Sequence, residues 1–181
     1  MSSCISSKMA PYPTQWPDAV DSGKSDCVDV SGLYREPGRQ SLTNAEAGDR
    51  HFFSLFPSDA HDELRDVKAK IDAFRLIGPK DGKLVIQLLV EGRVVRSFTL
   101  TGDSATDYYF YCSGKFVAWR YRYSDIRDMS QQARWQNIGL AKGVDGSLIL
   151  SDELTSLGAV LVLIPYYEET KSWFRFERIG D

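Results

Sequence analysis

Lys83-Leu84-Val85-Ile86-Gln87-Leu88-Leu89-Val90-Glu91-Gly92-Arg93-Val94-Val95-Arg96-Ser97-Phe98-Thr99-Leu100 carries a β-hairpin pattern from which the fold class follows. It divides into two eight-residue runs joined by Glu91-Gly92, a connection of hairpin length. In the second run Val94, Arg96, Phe98 and Leu100 share one face, and Val95, Ser97 and Thr99 the other. That period of two belongs to a strand. Upstream, Ala69 to Ile77 reads as a further strand, separated by the turn-rich Gly78-Pro79-Lys80-Asp81-Gly82. Three strands in succession make a β-meander.

The pattern continues to the C-terminus. Asp107 to Cys112, Phe116 to Tyr123, Arg134 to Ala141, Ser147 to Ser151, Leu157 to Ile164 and Ser172 to Ile179 all read as strands. Residues 124–132, rich in polar side chains, read as an open loop. With Val28 to Tyr34, which ends at the turn Glu36-Pro37-Gly38, the total is about ten strands. The expectation is a mostly β fold, an antiparallel meander closing into a barrel or sandwich and so removing exposed edges. A short helix is expected near residues 49–56, with Asp49 as N-cap and Pro57 just past its end. Residues 1–26, rich in Ser and Pro, read as a flexible linker, and 27–181 as a single β domain.

At 181 residues and net charge −3, the chain has the bulk for a real core and lacks the basic excess that nucleic acid selects. The alternating Trp119-Arg120-Tyr121-Arg122-Tyr123 reads as an amphipathic strand with arginines facing water. No apolar run reaches membrane-spanning length. A nucleophile elbow, a phosphate-binding glycine loop and His-Glu-x-x-His are all missing, so no catalytic residue is assigned. His51 and His61 read as surface histidines near the short helix. Three cysteines and two histidines without zinc spacing, and the acidic clusters Asp62, Glu63, Asp66 and Glu168, Glu169 without a calcium-loop pattern, give no metal site. No cofactor is implied.

Two resemblances stand beside this reading. Ser2-Ser3 before Cys4, followed by a Ser/Pro-rich tether, resembles the mature start of a bacterial lipoprotein, which implies acylation at Cys4. The charged and apolar parts of a signal peptide do not precede Cys4. A chain starting at Met1 would stay cytoplasmic and unlipidated, so the lipoprotein expectation carries with it a shortened or misassigned start. Cys27 with Ser31-Gly32-Leu33-Tyr34, then Cys112-Ser113-Gly114, then Trp173-Phe174-Arg175-Phe176, is loosely similar over 27–179 to envelope lipoproteins of Gram-negative bacteria. That likeness implies a lipid-anchored location facing the periplasm, and no activity. Val30 to Tyr34 and Thr106-Asp107-Tyr108 also resemble signatures of lipocalin-type barrels, with tyrosine in place of the opening tryptophan. The lipocalin likeness implies that Arg175 or Arg178 packs over Tyr34.

Cys27 and Cys112 suit a disulfide if the compartment is oxidising, and otherwise two buried thiols. Tyr109, Tyr111, Trp119, Tyr121, Tyr123 and Trp135 are the candidate binding residues. They line a cavity, fill the interior, or form a surface patch where Tyr, Trp and Arg supply hot spots for a protein partner. The leading expectation is a non-enzymatic envelope domain that binds or scaffolds another envelope component, touching the membrane only through its N-terminal lipid. A lipocalin-like carrier of a small apolar ligand is the alternative. Third come an envelope hydrolase using His51, or an enzyme inhibitor presenting residues 124–132.

Overall fold

The structure, a computed structural model, describes residues 4–21, 27–40, 51–55, 64, 66–103, 109–127, 130–160 and 164–181. Among them are twelve strands: β1 (Cys4–Met9), β2 (Gly32–Arg35), β3 (Arg39–Gln40), β4 (Ala73–Lys80), β5 (Lys83–Val90), β6 (Arg93–Thr101), β7 (Phe110–Ser113), β8 (Phe116–Arg127), β9 (Ser130–Lys142), β10 (Leu148–Val160), β11 (Ile164–Phe176) and β12 (Arg178–Gly180). They form two sheets, one of seven strands in the order β1-β11-β10-β9-β8-β7 with β3 also on β11, and one of five in the order β12-β2-β4-β5-β6. The architecture is sandwich-like, and the strands of the described residues form no closed barrel.

β5 and β6 are where the alternation placed them, whereas β4 begins four residues later than expected, after a 3-10 turn at Lys68–Lys70, and runs on through Gly78-Pro79-Lys80. Asp81 and Gly82, and again Glu91 and Gly92, all have positive φ. Two successive positive φ values are what a two-residue hairpin turn demands. Leu76, Leu84, Ile86, Leu88 and Leu100 point inward from this sheet. Val117, Trp119, Ile138, Leu140, Leu148, Leu150, Phe174 and Phe176 meet them from the other, in one continuous core. Phe52 fills the space between the sheets, stacked on Phe74 at 4.1 Å and edge-on to Phe176 at 5.8 Å.

Several expectations are corrected. The short helix is a single 3-10 turn, Phe52–Leu55. Four consecutive residues with three buried are too few for an amphipathic α-helix, and they serve as a plug. Residues 124–127 and 130–132 are no open loop: β8 and β9 extend over them, with Arg127 paired to Ser130, while 128–129 lie outside the described residues. The three segments read between 147 and 179 are two thirteen-residue strands and the short β12. Polar middles hid them: Asp152 and Ser156 of β10 are polar yet buried, and β11 carries Glu168-Glu169-Thr170-Lys171. The N-terminal segment expected as a flexible linker instead carries β1, which runs parallel to β11 from Cys4–Tyr166 to Met9–Lys171. Its few large side chains then cover the outer face of the seven-stranded sheet, where Ala10, Tyr12, Trp16 and Ala19 pack on Ala141, Ile149 and Trp173.

Candidate functional site

The chain changes sheets twice at the same edge. It leaves β2 at Arg35, bends through Glu36-Pro37-Gly38 and joins β11 as β3. It leaves β11 at Phe176 and, one residue later, pairs β12 with β2. Such corners are where sandwiches bend strands from one layer into the other. The two crossings are stitched together: the Arg35 amide donates to the Glu177 carbonyl at 2.9 Å, and the Arg35 guanidinium lies 3.3 Å from the Glu177 carboxylate. Gly38 is required here, since a Cβ on it would come within 2.5 Å of the Phe176 ring.

Arg35, Pro37, Arg39, Arg175 and Glu177 line a cleft of about 340 Å³ at this seam. Arg39 and Arg175 are direct cross-strand partners on β3 and β11. Arg175 is held from behind, its Nε donating to Ser147 Oγ at 3.2 Å and its Nη2 paired with Asp145. Burial works against ionising Asp145, but the Ser147 amide and hydroxyl and the Arg175 charge outweigh it and hold the carboxyl below its ordinary range. Arg39 makes no ion pair among the described residues.

Behind the cleft, Glu36 turns inward. Its side chain is fully buried, and Oε1 accepts from the Phe52 amide at 2.6 Å at the start of the 3-10 turn. Burial pushes its pKa up to about 8, against the opposing pull of the Phe52 and Phe53 amides. Oε2 lies 3.7 Å from Nδ1 of His51, and neither atom has a hydrogen-bond partner among the described residues. His51 stacks on Phe53 at 5.1 Å.

A comparison with known proteins finds no matching family, no matching curated protein and no matching solved structure. The residues of this chain carry the argument alone.

The aromatic set singled out from the sequence is divided between the two faces of one sheet. Trp119 is buried in the core. Tyr121 packs against that core, with its hydroxyl 2.8 Å from the Leu55 carbonyl and also against Gln136 Oε1. Gln136 in turn donates through Nε2 to Asp152 at 2.6 Å, so a polar chain runs inside the sandwich. These rings fill the interior. Tyr111 pairs with Ala118, which places it on the outer face, where its hydroxyl donates to Asn137 at 2.9 Å. Tyr109 lies 6.5 Å from the Tyr111 ring. Trp135 is half-buried beneath the Arg122 guanidinium, at 5.3 Å. Tyr123 pairs with Arg134 in the β8–β9 register.

Cys27 and Cys112 are joined as a disulfide, with Cα atoms 5.2 Å apart. Cys4 opens β1 opposite Tyr166. Arg178 is the cross-strand partner of Tyr34, whereas Arg175 is bound to Asp145 and Ser147 on the other sheet. The Tyr34 hydroxyl donates to the Val30 carbonyl at 2.8 Å, and burial pushes its pKa up to about 12. His61, Asp62, Glu63 and Thr106-Asp107-Tyr108 lie outside the described residues. Among the described residues no group of three or more His, Cys, Asp or Glu side chains is gathered as metal ligands would be.

Sequence reasoning missed the arginine cleft as a site. Both of its halves were noticed separately, Glu36-Pro37-Gly38 as a turn and Trp173-Phe174-Arg175-Phe176 as a closing strand. Only the β3–β11 pairing brings them together.

Proposed function

We propose that this chain is a non-enzymatic, extracytoplasmic domain of the cell envelope that binds or scaffolds another envelope component. The observation that carries the reading is the disulfide between Cys27, ahead of β2, and Cys112, on β7. It ties the segment entering one sheet to an edge strand of the other, and such bonds persist in oxidising compartments. The partner surface is the part of the outer face of the seven-stranded sheet away from the N-terminal segment, where Tyr109, Tyr111, Arg122 and Trp135 stand. Tyr, Trp and Arg are the residue types that dominate interface energetics. In this reading Cys4 carries the lipid, and because β1 begins at that residue the folded body sits close against the membrane.

The test is intact mass of the protein from native membranes, with thiol labelling before and after reduction. Acyl mass at Cys4, with Cys27 and Cys112 labelled only after reduction, supports the reading. An unlipidated chain with three thiols free at once overturns it.

A further inference from the structure

We propose that the cleft at the seam between the sheets is a binding site for a phosphate monoester, held by Arg39 and Arg175 with Arg35 at its rim. Like charges directly opposite each other across a strand pair are unfavourable, yet Arg39 and Arg175 occupy such a pair. Among the described residues three arginines line the cleft, against Glu177 in it and Asp145 behind it, so one positive charge is left over there in a chain whose overall charge is negative. The surplus belongs to Arg39, the arginine without an ion pair among the described residues. A bound anion between Arg39 and Arg175 removes the repulsion and completes the charge balance.

The geometry favours an oxyanion. A guanidinium presents a planar fork of donors that matches phosphate oxygens two at a time. Arg175 is pre-aligned by Ser147 and Asp145, so its fork loses little freedom on binding. A volume of about 340 Å³ holds a phosphoryl group with a small substituent. Pro37 supplies an apolar wall for that substituent. Buried Glu36 lies behind this wall, hydrogen-bonded to Phe52, so it does not project into the cleft as a competing carboxylate. The inference holds wherever the chain resides and does not depend on its export.

Titration calorimetry on the full, oxidised chain with glycerol phosphate is the test, with co-sedimentation on phosphatidic acid vesicles as a separate arm. Saturable binding of glycerol phosphate identifies a free ester as ligand. Sedimentation with phosphatidic acid but not phosphatidylcholine vesicles identifies the same group on a lipid. In whichever arm binds, Arg39→Gln weakens affinity about tenfold and Arg39→Lys recovers only part of it, since lysine lacks the fork. Raising salt weakens binding further. Arg39 is exposed, so its replacement leaves the fold intact, which thermal unfolding of the variant checks. No binding in either arm up to about 10 mM, or equal binding by Arg39→Gln, overturns the proposal.

Discussion

The indole N–H of Trp173 donates to the carbonyl of Ala10 at 2.9 Å, joining residues 163 positions apart. Tyr12 packs edge-on against the same indole at 5.1 Å. The N-terminal segment is thereby part of the folded body. Trp173→Phe keeps the ring but loses the hydrogen bond, and is expected to cost about 1 kcal/mol in denaturant unfolding. Deleting residues 1–20 uncovers Trp173 and Ile149 together with the edge of β11, and is expected to produce a less stable, association-prone protein by light scattering. A deletion that leaves stability and solubility unchanged would make the segment an ornament.

The disulfide closes a long loop, with its cysteines 85 residues apart. Chain-entropy arguments put the stabilisation from such a loop at about 4–5 kcal/mol. The double variant Cys27→Ser with Cys112→Ser is expected to shift the denaturant midpoint of the oxidised protein down, to match that of reduced wild type. Equal midpoints for oxidised protein and double variant would remove the bond from any account of stability.

Glu36 sets a pH dependence opposite in sign to that of a salt-bridged carboxylate. Its pKa is raised to about 8 in the fold, from an ordinary 4.5. Between these values the unfolded chain has released its proton and the folded chain has kept it. Stability from this group therefore falls as pH rises from 4.5 to 8 and is flat outside that window. Glu36→Gln cannot ionise and still offers an oxygen to the Phe52 amide. The gap between variant and wild type should widen from pH 5 to pH 8, by as much as ~4 kcal/mol. A gap that stays constant across that range rules out the buried, raised carboxyl.

Gly38→Ala drives a methyl group into the Phe176 ring at the sheet crossing. Phe176 is itself fully buried, so the ring has little room to yield. A loss of about 1–3 kcal/mol is expected by thermal unfolding. Any effect on the arginine cleft should follow, since β3 is placed by this contact.

Inside the sandwich, Gln136→Leu removes the amide that links Tyr121 to Asp152. Taking a donor from a buried carboxyl costs about 1–3 kcal/mol. Leu is close to Gln in size, so a comparable loss from Gln136→Leu and Gln136→Ala would assign the effect to the polar chain rather than to volume.

These particulars also show which parts of the fold were legible. Lys83–Leu100 could be read because one face is apolar and its turns carry a glycine with positive φ. The middle of β10 could not, because its buried positions include Asp152 and Ser156, and Asp152 takes its hydrogen bond from Gln136 on β9, a contact no local pattern encodes. The N-terminal segment looked unstructured because its apolar content is low, yet Tyr12 and Trp16 suffice once a flat sheet face is there to receive them. The six candidate aromatics were found as residues, but strand register alone decided which side each occupies. The arginine cleft depended on the pairing of residues about 135 positions apart, which a single sequence leaves unstated.

The parallel pairing of β1 with β11 has a temporal side. β1 docks on a strand made about 160 residues later. At ordinary elongation rates that delay is on the order of ten seconds. Throughout it, Cys4–Met9 has no partner and the rest of the seven-stranded sheet is still being made. The newborn chain is therefore a better client for chaperones than the finished one, because β1 can dock only after β11 has been made.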